Sequence, residues 1–252
     1  MAHPLPSPPR LVLFDLDDTV LDNRSAAQHA LHACVGERSD IFGTITGEQA
    51  FERWVGINVQ LWNDYGRGVL NERQLRHQRA ARLLVWACDT SGACYTESAA
   101  NEFMERYFEL FIAAARPLDG VPELLDYLHS ETSLGVVTNG FADVQRARLD
   151  AAGLASRFGH VIISEEVGHR KPQPEIFRHA LDLFGVQPDE AVMVGDSLDY
   201  DIAGAHAAGL ATVWLRSAGD GRDATAVATA SVVEIAELAQ LLRSSTALPH
   251  AL

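Results

Sequence analysis

After Arg116 the chain alternates short apolar runs with helical segments, and this alternation restricts the fold more than any other feature of the sequence. The runs are Leu134 to Val137, Val161 to Ile163, Ala191 to Val194 and Thr212 to Leu215. Around them, Val121 to His129, Phe141 to Ala152, Pro174 to Phe184 and Ile202 to Ala208 read as helices, with Gly153, Gly185 and Gly209 where C-terminal caps are expected. Uninterrupted apolar runs suit strands buried on both faces, and strands separated by helices pair in parallel. A further run, Leu11 to Phe14, stands alone far upstream and supplies one more strand.

Between that strand and the alternating region, Arg24 to about Ala115 holds no comparable run. It is rich in Ala, Leu, Gln, Glu and Arg, and Phe51, Trp54, Val55, Asn58, Leu61, Trp62 and Tyr65 fall on one helical face. Breakers near Gly43 to Gly47, Gly66 to Gly68 and Asp89 to Gly92 divide it into about four helices. The expected architecture is α/β: a parallel-sheet core from residues 10–21 and 116–245, interrupted by an all-α insert at 22–115. Residues 1–9, Pro-rich and without the apolar segment of a signal peptide, are expected to be a disordered leader, and 246–252 a tail.

Composition narrows the partners. Thirty-four acidic against twenty basic residues leave a formal charge of −14, which repels phosphate backbones and anionic membranes. No run approaches the length of a membrane span. Cys34, Cys88 and Cys94 have neither disulfide-framework nor zinc-ligand spacing, which suits a reducing cytoplasm.

Four of the apolar runs lead into residues able to do chemistry. Asp15-Leu16-Asp17-Asp18-Thr19 follows the first; residues two apart on a strand point to one side, so Asp15 and Asp17 can bring two carboxylates together. Such a pair repels unless a cation or shared proton intervenes, and hard oxygen ligands suit Mg²⁺. Taken alone, the segment serves equally well as a solvated acidic turn. Thr138-Asn139-Gly140, between a strand and a helix, offers a hydroxyl and backbone N–H groups to an anion. Lys171, before Pro172, offers an ammonium. Gly195-Asp196-Ser197-Leu198-Asp199-Tyr200-Asp201 offers more carboxylates, although Asp201 could simply cap a helix. All four groups lie at the C-terminal ends of predicted parallel strands, the edge along which open α/β sheets bind ligands.

These four ordered motifs resemble those of the haloacid-dehalogenase-like hydrolase superfamily, and the resemblance spans the whole predicted core. It implies a Rossmann-like core with an inserted helical cap of the C1 subfamily. Asp15 is then the nucleophile and Asp17 the general acid and base. Thr138 and Lys171 bind the substrate phosphate with Asn139 and Gly140 alongside, and Thr19 and Asp201 support them. Mg²⁺ is held by Asp15, the Asp17 backbone carbonyl and Asp196. Asn58, Leu61, Trp62, Asp64, Tyr65, Gly68, Gln74 and Leu75 in the insert, with Ile163-Ser164-Glu165-Glu166-Val167-Gly168 in the core, look like the pyrimidine 5′-nucleotidases. The resemblance thus implies a cytoplasmic, Mg²⁺-dependent phosphatase of small phosphorylated metabolites, with pyrimidine nucleoside 5′-monophosphates favoured. Phosphoglycolate or a sugar phosphate is the alternative substrate; haloacid dehalogenase and phosphomutase are more distant alternatives.

Overall fold

The computed structural model describes residues 2–246. The chain forms two compact units, Met1–Asp22 with Arg116–Leu252, and Asn23–Ala115. The first is built on a sheet of six parallel strands: β1 (Leu11–Phe14), β2 (Ser133–Thr138), β3 (His160–Ile163), β4 (Ala191–Gly195), β5 (Ala211–Leu215) and β6 (Ala230–Val232). Their order is β3-β2-β1-β4-β5-β6. The order reverses at β1, which pairs with β2 on one side and β4 on the other. A switch of this kind opens a crevice at the C-terminal ends of the central strands.

The second unit is entirely helical: α1 (Asn23–Glu37), a single turn α2 (Ser39–Phe42), α3 (Gly47–Gly66), α4 (Glu72–Ser91) and α5 (Glu97–Ala113). Capping boxes start two of these helices, where Thr46 and Gln49, and Asn71 and Gln74, satisfy each other's backbone N–H groups. Trp54 of α3 is buried, with its ring 4.9 Å from Tyr107 of α5, and Tyr107 stacks on Phe111. Trp62 packs edge-on against Tyr65 of its own helix. These rings therefore contribute to packing within the unit.

In the sheet unit, α6 (Val121–His129), α7 (Ala142–Ala151), the single turn α8 (Ser164–Val167), α9 (Pro174–Phe184), α10 (Ala203–Ala207) and α11 (Ile235–Thr246) complete the fold. Because strand side chains alternate, β1 contributes to two cores. Leu11 and Leu13 pack with Met193, Ile176, Phe177 and Ala205 on one face; Val12 and Phe14 pack with Val136, Leu124, Leu149 and Leu238 on the other. Gly135 of β2 admits Leu13 and Phe184, since a Cβ there would come within 2.9 Å of both side chains.

The α/β expectation holds, with two differences. A sixth strand and the helix after it follow the irregular stretch beyond β5; a three-residue edge strand, Ala230-Ser231-Val232, leaves almost no periodicity to read. The leader is not a free segment among the described residues: Thr132 Oγ1 donates to Pro9 O at 2.8 Å, Thr229 Oγ1 donates to His3 O, and Leu5 packs on the core. Its backbone carbonyls and its one leucine find partners that sequence position does not reveal. Of the expected tail, residues 247–252 lie outside the described residues.

Phe177 is fully buried between α9 and the sheet. Phe177→Ala is expected to destabilise the protein by about 3–5 kcal/mol, read as a lower midpoint in urea unfolding followed by circular dichroism.

Candidate active site

Asp15 leaves β1 still in register with the sheet, its N–H donating to Val194 O at 2.8 Å. The chain then turns back through Asp18, whose φ of 57° places it in the left-handed region, as aspartate tolerates. Asp18 N donates to Leu21 O at 2.8 Å and Leu21 N to Leu16 O at 2.9 Å, closing the loop without using the Asp17 carbonyl. That oxygen is thus available to a cation. Thr19 is buried in the same loop, and its hydroxyl has no hydrogen-bond partner among the described residues.

The centre of the site is a buried charge cluster. Lys171 Nζ is ion-paired with Asp15 Oδ1 and lies 2.7 Å from Asp201 Oδ1, and all three residues are buried. Two side-chain bonds from the end of β2 place the lysine: Asn139 Nδ2 donates to Lys171 O, and Asn139 Oδ1 accepts from Lys171 N, each at 2.8 Å. Both ends of the Asn139 amide are thereby engaged. Its side chain positions Lys171. Two glycines permit the close packing: a Cβ on Gly195 would run into the Asp201 carboxylate, and one on Gly204 would lie 2.7 Å from Pro172 O.

Asp201 is held by the wide helical turn Leu198–Ile202, where its Oδ2 accepts from Ser197 N at 2.9 Å. It faces Lys171, whereas Asp199 is exposed and lies 3.4 Å from Arg222. Spacing alone did not separate these two acids. Asp196 directly follows β4, and its carbonyl accepts from Trp214 Nε1 at 2.9 Å. One carboxylate oxygen from each of Asp15, Asp196 and Asp201 lies within 4.8 Å of the others.

The electrostatics follow from this crowding. Burial raises the Asp15 carboxyl well above the usual range; Lys171 opposes the rise, and Asp201, Asp196 and Asp17 add to it. Burial, with the charges of Asp201 and Asp18, pushes Asp196 up to about 7. Burial disfavours the charged lysine, but its two carboxylate partners overcome that and raise Lys171 above its ordinary value. A divalent cation with a preference for oxygen ligands would relieve the repulsion among these acids, so the donor set fits such an ion.

Asp17 is treated differently. Arg148 Nη1 donates to its Oδ1 at 2.5 Å and Gln145 Nε2 to its Oδ2 at 2.9 Å. Partial burial pushes its carboxyl up, but Arg148 and Gln145 outweigh that and hold it below the ordinary carboxylate value. Gln145 Nε2 also donates to Thr138 Oγ1 at 2.9 Å, and Arg148 Nη1 to Gln145 Oε1 at 2.8 Å. Thr138 is buried at the end of β2. Gly140 leaves space for this arrangement, because a Cβ there would lie 2.6 Å from the Gln145 side chain.

Gln145 and Arg148 are site residues that the sequence reading missed. The available signal was polar residues three apart on a helical face shared with Val144 and Leu149, directly after Thr138-Asn139-Gly140.

Residues 9–209 match the model of the haloacid dehalogenase-like hydrolase family. The chain is a haloacid dehalogenase-like hydrolase. Among its relatives is the pyrimidine 5′-nucleotidase YjjG of Escherichia coli, 33% identical over 92% of this chain and 96% of that protein. Another, the phosphoserine phosphatase of Thermus thermophilus, is 32% identical over 82% of this chain and 88% of its own. Among solved structures, the putative HAD-hydrolase YfnB of Bacillus subtilis, bound to magnesium, superposes with a TM-score of 0.76 at 26% identity, covering 92% of this chain and 98% of that one.

In this haloacid dehalogenase-like hydrolase, Asn139→Ala leaves the Lys171 N–H and C=O without their side-chain partners. It is expected to cost about 1–3 kcal/mol, measured by urea unfolding in metal-free buffer. Asp199→Ala, at an exposed position, is expected to leave the unfolding midpoint unchanged in the same assay.

Proposed function

We propose that this protein is a Mg²⁺-dependent phosphatase of small phosphate monoesters in the cytoplasm, and that pyrimidine nucleoside 5′-monophosphates are its best substrates. The reaction class, phosphoric monoester hydrolysis, follows from the family and its phosphatase relatives. The observation that supports the mechanism is the convergence of four groups: Lys171 pairs with Asp15, and the Gln145 amide links Asp17 to Thr138. Asp15 is buried against Lys171, whereas Asp17 stays partly exposed and is held through both oxygens by Arg148 and Gln145.

In the first step an Asp15 carboxylate oxygen bonds to phosphorus in line with the ester oxygen, the ester P–O bond breaks, and Asp17 in its protonated form passes its proton to the departing alkoxide. In the second, Asp17 takes a proton from a water whose oxygen attacks phosphorus. The bond from Asp15 to phosphorus breaks, and phosphate leaves. The Lys171 ammonium and the Thr138 hydroxyl bind phosphoryl oxygens throughout. Asp15, Asp196 and the Asp17 carbonyl are the groups to hold Mg²⁺, which when bound neutralises charge on the phosphoryl oxygens and on the clustered acids.

The nucleotide preference is supported by similarity to the Escherichia coli pyrimidine 5′-nucleotidase across both units of the chain. Choice of leaving group is assigned to the helical unit Asn23–Ala115. Placement in the cytoplasm is supported by three free cysteines, and no helix among the described residues is long and apolar enough to cross a membrane.

A phosphate-release panel of nucleotides, phosphoglycolate and sugar phosphates tests the reading. Pyrimidine monophosphates are expected to rank first by kcat/KM, and a different leader transfers the assignment to that ester. Chelation is expected to abolish release and added Mg²⁺ to restore it. Asp15→Asn is expected to lower kcat by at least about 10³-fold while circular dichroism shows an intact fold.

A further inference from the structure

Gln145 sits where three polar groups converge. Its amide nitrogen spends one hydrogen on Asp17 Oδ2 and the other on Thr138 Oγ1, each at 2.9 Å, while its carbonyl oxygen accepts from Arg148 Nη1 at 2.8 Å. An amide nitrogen has two donor hydrogens, so both are used and the orientation of the amide is set; a flip would break all three bonds. Thr138 Oγ1 accepts here, which leaves its single hydrogen to be donated elsewhere. Arg148 closes the ring by donating to the other oxygen of Asp17.

Both side chains come from α7, on a face shared with the buried Val144 and Leu149. Arg148 and Gln145 are themselves buried, at 1% and 3% exposure, whereas the Asp17 side chain is 34% exposed. The rigid part of the network therefore lies beneath Asp17, and the carboxylate is its accessible end. Each Asp17 oxygen keeps lone-pair capacity beyond the bond it accepts from α7.

From this geometry we propose that Gln145 and Arg148 are positioning residues for the leaving-group proton. Acting from one helix face, they fix the direction of the Asp17 carboxylate and, through the Gln145 amide, fix it relative to the phosphate-binding hydroxyl of Thr138. The inference rests on the phosphatase reading above and deepens it. The alcohol oxygen must meet Asp17 while the phosphoryl group meets Thr138, and one side chain sets the geometry between those two partners. Neither residue touches substrate; each acts through Asp17 or Thr138.

The consequence is selective. An ester whose leaving group departs as a stable anion needs no proton from Asp17, whereas an alkyl ester does. The test compares kcat/KM for a nucleoside 5′-monophosphate and for 2,4-dinitrophenyl phosphate, at saturating Mg²⁺, in the wild type, Arg148→Met, Arg148→Lys and Gln145→Met. The Met variants are expected to lose about 10²-fold on the nucleotide and less than about 5-fold on the dinitrophenyl ester, with Arg148→Lys recovering part of the loss. Gln145→Met is also expected to raise KM for both esters, because Thr138 loses its alignment. Should Arg148→Met fold poorly by circular dichroism, Gln145→Met carries the same comparison.

A second measurement adds Arg148→Met to an Asp17→Asn background. If Arg148 acts through Asp17, the added change has no further effect on nucleotide turnover; an additive loss overturns the proposal. Equal losses on both esters in the single variants, or a gain on the nucleotide, also overturn it. With the wild type still releasing phosphate, those results leave the phosphatase reading intact, whereas that reading fails on the wild type alone.

Discussion

Burial of the Asp15, Lys171 and Asp201 charges at the C-terminal edge of the sheet is the constraint around which the rest of the structure is arranged. Taking an ion out of water costs several kcal/mol even after relaxation, so such a cluster persists only with close geometry and engaged hydrogen bonds. The fold supplies both. Asn139 holds the lysine backbone at two points, Ser197 N binds Asp201, and Gly195 and Gly204 let the chains approach where any side chain would collide. Burial and the excess of acids over bases there raise Asp15 and Asp196, and the donor set fits a cation that prefers oxygen ligands.

The sheet topology explains why these groups meet. β1 lies between β2 and β4, with β3 beyond β2, so loops from distant parts of the sequence leave the sheet at one edge. Two aspartates two residues apart then receive different surroundings. Asp15 enters the buried cluster, while Asp17 turns toward α7, where Arg148 and Gln145 bind it as a carboxylate.

Much of this was legible in the chain. The strands β1 and β4 and the helices α6 and α9 follow from apolar runs and glycine punctuation, and Asp15, Thr138, Lys171 and Asp196 stand at predicted strand ends. The edge strand β6 was not legible, because three residues carry too little pattern. Nor was the role of the Asn139 side chain, which depends on a backbone 32 residues away. Asp199 and Asp201 look alike in sequence; the wide turn Leu198–Ile202 buries one and exposes the other.

By itself the sequence determined the class of fold and the inventory of reactive groups, because hydrophobic periodicity and residue type are local properties that survive without coordinates. The tertiary structure decided which groups share an environment: which acid faces Lys171, that Asn139 anchors a loop, and that Gln145 and Arg148 belong to the site. Charge and hydrogen bonding act through space over a few ångströms, and residues 128 and 131 positions from Asp17 become its immediate neighbours only once the sheet has brought β1 and β2 together.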